Sequence, residues 1–215
     1  MDIRLREKIE GIILAGGKSR RLGTDKTILS LGNRRLVDIV LETVGAVADS
    51  TILVTNSPQY FEGLPVRITT DLEWGSGPLV GILSGLLLAE REHALVVACD
   101  MPFLNLGLLQ YMARQIEDND VVIPRMGTIF EPLHSIYSRR CIEPIRRMLA
   151  VQNFRVIDLL QEVRVRYIEK EEIDAFDPTH LTFFNINTPD DLEKAQAEYA
   201  RRYGDERGGT QHGGK

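Results

Sequence analysis

The sequence predicts an α/β fold with a mostly parallel sheet, and two observations predict it. Short, almost wholly apolar runs, Ile12 to Ala15, Ile52 to Val54 and Ala94 to Ala98, read as strands buried on both faces. They alternate with amphipathic stretches at helical spacing, the pattern that parallel strands joined by crossover helices leave in a chain. At 215 residues the chain fits a single α/β domain, large enough to bury a core without disulfide staples.

Composition narrows the class further. A hydrophobic content of 43% and a charged content of 27% are ordinary for a soluble globular protein. No apolar run approaches the ~18 residues of a membrane span, and Met1 to Lys8 lacks a signal-peptide core, so the expected location is the cytoplasm and no membrane contact is expected. Cys99 and Cys141 stand far apart and the four histidines are scattered, which suggests neither a zinc site nor a disulfide framework. Any metal is therefore expected on carboxylates. A net charge of −5 argues against broad nucleic-acid binding, while a local basic loop can still hold a phosphorylated small molecule.

Such a loop follows the first strand. Leu14-Ala15 runs into Gly16-Gly17, and Lys18, Arg20, Arg21 and Lys26 follow within nine residues. Two adjacent glycines let the backbone approach a phosphate and turn N–H groups toward it, and the cations neutralise its charge, Lys26 as a compact point charge. An ordinary strand-to-loop turn with a solvated basic face is the alternative. The loop is neither a Walker A sequence, which would need glycine where Ile12 stands, nor a G-x-G-x-x-G fingerprint.

The remaining elements follow in order. Thr27 to Leu31 is short and apolar, Gly32-Asn33 turns, and Leu36 to Val47 carries apolar residues at i, i+3 and i+4, predicting an amphipathic helix. The strand Ile52 to Val54 completes a first βαβ unit. Because ligands in open parallel sheets sit beyond the carboxyl ends of the strands, Asn56 is expected on the same rim as Gly16, unless it merely forms the turn before Pro58. Val66 to Ile68 is a third strand, followed by Asp71, a loop cap or a ligand. The glycine-rich loop Trp74 to Gly77 then enters a helix at Pro78, with Leu79, Ile82, Leu83 and Leu86 on its buried side. Ala94 to Ala98 runs into Cys99-Asp100-Met101-Pro102. A carboxylate at the end of a buried strand is where a Mg²⁺ bridging triphosphate oxygens is expected, a turn or cap role for Asp100 being the alternative; Cys99 is expected to be inert packing.

Asn105 is expected to cap a helix carrying Leu108, Leu109, Met112 and Ile116, and Asp120 to Pro124 to form a strand. Phe130 to Tyr137 alternates in its second half and predicts a half-exposed strand, in which His134 is structural more readily than functional. Arg139 to Leu149 predicts a helix with a cationic face, read as solvated, with docking of a phosphorylated ligand as the lesser alternative. Phe154 to Leu160 predicts a further helix and Val165 to Ile168 a strand. Thr188 as N-cap, Pro189 at the first helical position and Asp191 three residues after the cap predict the closing helix. Residues 1–203 are expected to form one domain, and 204–215 a disordered tail with nothing to bury.

The segment Leu14 to Lys26 closely resembles the signature of nucleotidyltransferases that transfer a nucleoside monophosphate from an NTP. Among them it is most similar to the molybdenum cofactor guanylyltransferases, with pattern L-A-G-G-x-S-x-R-M-G-x-D-K, from which it departs once, with Leu22 for Met. The Gly-Pro-Leu segment at Gly77, the C-D-x-P segment at Cys99 and the F-x-N-x-N-T-P segment at Phe183 match in order. The resemblance implies a three-layer Rossmann-like nucleotidyltransferase fold. It implies a nucleotide site of Leu14, Ala15, Gly16, Gly17, Arg21 and Lys26, joined by Asn56, Asp71, Gly77, Pro78 and Asp100. Lys26 and Asp100 are then catalytic, Asp100 holds Mg²⁺, and Asn185 or Asn187 supports the metal or the phosphates. The implied reaction moves GMP from GTP to the terminal phosphate of molybdenum-bearing molybdopterin, with transient contact to cofactor-inserting proteins. Guanine is favoured because Gly17 completes L-A-G-G where the related cytidylyltransferases more typically show L-A-A-G. A cytidylyl- or sugar-1-phosphate nucleotidyltransferase, or a non-catalytic nucleotide-binding module, are the alternatives.

Overall fold

Strand β1 (Ile9–Leu14) occupies the middle of the sheet, and its residues alternate between two apolar layers. The computed structural model describes residues 9–16, 29–70 and 77–204. Beyond β1 it contains the hairpin β2 (Ser30–Leu31) and β3 (Arg34–Arg35), helix α1 (Leu36–Gly45), β4 (Thr51–Val54), β5 (Arg67–Thr69), α2 (Pro78–Leu88) and β6 (His93–Ala98). There follow α3 (Leu106–Arg114), β7 (Val121–Met126), β8 (Ile129–Phe130), β9 (His134–Ser138), α4 (Ile142–Ala150), α5 (Val156–Leu159), β10 (Val165–Glu169), α6 (Lys170–Asp174) and α7 (Pro189–Tyr203).

The main sheet has the order β10-β7-β9-β6-β1-β4-β5, with β8 paired to β7. The pairs β1–β4, β1–β6, β4–β5 and β7–β10 are parallel, and β9 runs antiparallel between β6 and β7. Ile13 and Val97 face one layer with Val40 of α1 and Leu109 of α3. Ile12 and Val96 face the other, with Leu83 of α2 and Ile145 of α4. The period-2 alternation of strand side chains thus gives the sheet a helical layer on each face, the three-layer α/β sandwich expected.

Two glycines let the central strand take a helix on both sides. A Cβ on Gly11 would lie 2.2 Å from Val44 of α1, and one on Gly85 would lie 2.6 Å from Ile12. A third apolar cluster joins Leu31 and Ile39 to Phe103, Ile186, Ala195 and Tyr199, and so fastens α7 over the β2–β3 hairpin. Thr188 accepts from the Asp191 N–H at 3.1 Å while Asp191 accepts from the Thr188 N–H at 2.9 Å, the reciprocal cap expected at the start of α7.

One element departs from expectation. The alternation in 130–137 predicts a half-exposed strand, yet every residue of β9 is buried. The reason is its place in the sheet: helices cover both faces between β6 and β7, so its two serines pair internally while His134 packs edge-on against Phe183. Ser135 Oγ donates to the Glu131 carbonyl at 2.6 Å and Ser138 Oγ to Glu92 at 2.7 Å. Among the described residues no helix is long and apolar enough to cross a membrane. Of the expected tail, 204–215, Gly204 caps α7 and residues 205–215 lie outside the described residues.

Candidate active site

Three strand ends arrive at one height. Leu14 is in register with Val54 on one side and Ala98 on the other. The Ala15 N–H donates to the Val54 carbonyl at 2.9 Å and the Cys99 N–H to the Leu14 carbonyl at 3.1 Å. Gly16, Asn56 and Asp100 therefore emerge on a common rim at the carboxyl ends of β1, β4 and β6. The chain leaves β1 toward β4 and leaves β6 toward β7, in opposite directions along the sheet, which makes the β1/β6 boundary the place where an open α/β sheet forms a crevice.

Helix α2 begins on the same rim, since β5 ends there beside β4. Gly77 caps it at φ +138°, a backbone conformation that favours glycine, and Pro78 occupies the first turn, where its missing N–H costs nothing. Leu79, Ile82, Leu83 and Leu86 are all buried, as their spacing predicts. The eleven-residue helix aims its N-terminal N–H groups and the positive end of its dipole at this edge.

Asp100 is partly exposed, with its Oδ1 enclosed. Its carbonyl accepts from the Ile186 N–H at 3.0 Å, which brings Asn185 and Asn187 against the rim. Asn185 spends its side-chain N–H on the Phe183 carbonyl at 2.9 Å. The returning segment is itself anchored: Asp177 accepts from the Thr182 N–H at 2.7 Å, and Thr182 Oγ1 accepts from the Asn105 N–H at 2.9 Å. Asn105 also accepts from Leu108 as the cap of α3. This tie between 177–182 and α3 was not foreseen; the Asp177-Pro178-Thr179 turn was its signal, through the Asx contact of Thr179 with Asp177.

A divalent cation is what nucleotidyl transfer chemistry uses to bridge triphosphate oxygens. The donor set fits one: a carboxylate at a strand end, a helix N-terminus for phosphate, and neutral amides beside them. Among the described residues no three His, Cys, Asp or Glu side chains gather to hold a metal unaided.

The structure thus gathers Leu14, Ala15, Gly16, Asn56, Gly77, Pro78 and Asp100 at one edge. Gly17, Arg21, Lys26 and Asp71 lie outside the described residues. Other charged groups separate from the rim. Glu10, buried at the far end of β1, accepts from the Arg91 N–H at 2.9 Å and pairs with Arg67, and is structural. The cationic helix also starts at that far edge, where Ser138 pairs with His93. There Arg140 pairs with Asp120 at 2.6 Å, Arg146 with Glu143 at 2.6 Å and Arg147 with Glu162 at 3.0 Å, a solvated ion-paired face. His134 is fully buried edge-on against Phe183, ring centroids 4.9 Å apart, and burial holds its pKa down at about 3, so it is a neutral core residue.

Comparison with known proteins agrees. Residues 11–165 match the family model of the MobA-like NTP transferase domain. A molybdenum cofactor guanylyltransferase of Desulfosudis oleivorans is 41% identical over 193 residues, 89% of this chain and 96% of the relative. A probable molybdenum cofactor guanylyltransferase of Pelotomaculum thermopropionicum is 40% identical over 186 residues, 86% and 91% of the two chains. The crystal structure of a molybdopterin-guanine dinucleotide biosynthesis protein A from Archaeoglobus fulgidus superposes with a TM-score of 0.79 at 28% identity, covering 89% of this chain and 99% of that one. A family model spanning most of the chain and full-length relatives at this identity assign it: the chain belongs to the MobA-like family of nucleotidyltransferases, that of the molybdenum cofactor guanylyltransferases.

Proposed function

We propose that this enzyme transfers GMP from Mg·GTP to the terminal phosphate of molybdenum-bearing molybdopterin and releases pyrophosphate, acting in the cytoplasm as one domain over residues 1–203. The observation that carries the reading is the shared rim of Gly16, Asn56 and Asp100 beside the α2 N-terminus. The names of the relatives supply the substrates.

An oxygen of the acceptor phosphate attacks the α-phosphorus, a new P–O bond forms, and the bond to the β-phosphate breaks with its electron pair leaving on pyrophosphate. The nucleophile is already anionic, so no general base is needed. The demands are alignment of two anions and neutralisation of charge accumulating at the phosphorus. Backbone N–H groups around Gly16 and Gly17, the α2 N-terminus and the cations Arg21 and Lys26 meet the second demand. Asp100 would hold the ion, and Asn185 or Asn187 would steady it or the phosphates from the adjoining turn. When bound, Mg²⁺ supplies Lewis-acid polarisation of the phosphate oxygens.

The test is pyrophosphate release on mixing the protein with Mg²⁺, molybdopterin and each NTP in turn. Release with GTP alone among the four is expected. Preference for CTP would overturn guanine, and tight GTP binding without release would make the chain a non-catalytic module.

A further inference from the structure

The half of the rim beyond Asp100 holds a carboxylate to which nothing above gives a role. The Ala98 N–H donates to the Leu133 carbonyl at 3.2 Å just beyond the Val97↔His134 pair, and Glu131 precedes it in the turn that leads from β8 into β9, opposite Pro124 near the carboxyl end of β7. Glu131 is half-buried, its backbone fixed by the bond from its N–H to the Pro124 carbonyl at 3.3 Å and by the His134 N–H donating to its own carbonyl at 3.0 Å. Its carboxylate has no hydrogen-bond or ion-pair partner among the described residues. At the same ends of β7 and β10, the rings of Phe130 and Tyr167 lie 5.9 Å apart, and the Arg125 guanidinium stacks 4.2 Å from the Tyr167 centroid. β7 and β10 are parallel to β6, so this cluster at their carboxyl ends shares the rim with Asp100.

We propose that Glu131 reads the 2-amino-4-oxopyrimidine edge of the acceptor's pterin ring, accepting from its ring N–H and its exocyclic amino group. The proposal rests on the guanylyl-transfer reading and deepens it. In-line displacement places the acceptor across the α-phosphorus from the leaving pyrophosphate. The glycine loop, Asn56 and Gly77 set the nucleotide on the β1, β4 and β5 half, so the acceptor falls to the β6, β9 and β7 half, where Glu131 stands. A carboxylate accepts two parallel N–H donors and has none to offer, which matches that edge. Burial alone, with no compensating charge, pushes the Glu131 pKa up to about 6, as fits an acid whose partner arrives with substrate.

The test compares the wild-type chain with Glu131→Gln. Binding of 6-hydroxymethylpterin monophosphate and of its lumazine counterpart, in which oxygen replaces the amino group, is followed by their fluorescence. The wild type is expected to favour the pterin by about tenfold to a hundredfold, the worth of a hydrogen bond to a charged group, and Glu131→Gln to lose that preference while GTP affinity stays unchanged. An unaltered preference in the variant, no binding of the pterin by the wild type, or a loss of GTP affinity in the variant overturns the proposal, the last by assigning Glu131 to guanine. These readouts need no turnover, so failure of the wild type to release pyrophosphate would sink the proposed reaction separately.

Discussion

The Ile186 N–H donates to the Asp100 carbonyl at 3.0 Å, joining the end of a central strand to the turn that starts the last helix, 86 residues later. The bond is made by the Asp100 backbone, so it survives a change of side chain. Asp100→Asn is expected to lower turnover by about a hundredfold or more, far beyond any loss of melting temperature. Steady-state kinetics beside a thermal scan checks it; matching losses in both would make Asp100 structural.

At Gly85 two effects oppose. Alanine in a helix interior gains about 1 kcal/mol over glycine, but its Cβ would sit 2.6 Å from Ile12, a fully buried residue of the central strand. Overpacking costs about 1–3 kcal/mol. Gly85→Ala is therefore expected to destabilise, and Gly45→Ala, with nothing within 4 Å, to be neutral or stabilising. Urea denaturation of the pair decides; stabilisation by Gly85→Ala would show that α2 can lift off the sheet at little cost.

Thr188→Ala removes one arm of the reciprocal cap on α7 and is expected to cost about 1 kcal/mol. Because α7 also fastens the β2–β3 hairpin through Tyr199, faster amide exchange at Leu31 should accompany the loss. Exchange confined to α7 alone would separate the two elements.

His134 sets an acid limb. Its folded pKa of about 3 lies below the ordinary 6.5, so the unfolded chain takes up a proton between those values and the folded chain does not. Stability is then full above pH 6.5 and falls as pH drops toward 3. Glu131, raised from 4.5 to about 6, runs the other way: its contribution is present below pH 4.5 and is lost as pH rises through 6. His134→Leu is expected to flatten the acid limb, since both ring nitrogens lack a hydrogen-bond partner among the described residues. An unchanged slope of unfolding midpoint against pH in that variant would refute the assignment.

What could be read from the chain before folding was what depends on neighbours in sequence. The apolar strands, the Gly77-Pro78 helix start, the Asn105 cap and the Thr188 to Asp191 box each follow from local chemistry and stand where expected. The full burial of β9 depends on which strands flank it, which alternation within 130–137 does not encode. The short helix α6 was missed because five residues carry too little periodicity to register. At the site, the common height of Gly16, Asn56 and Asp100 was inferable from strand polarity alone. The return of Asn185 to that rim came only through the resemblance, because a bond between positions 100 and 186 leaves no local pattern.

The reversed direction of β9 has a consequence for how such enzymes diversify. Its entry turn, 131–133, hangs from the β7–β8 hairpin, whereas the nucleotide half is built from strand exits. If the acceptor lies where the Glu131 proposal puts it, swapping that hairpin would retune what receives the nucleotide without disturbing what donates it, making the two substrates of one crevice separately evolvable.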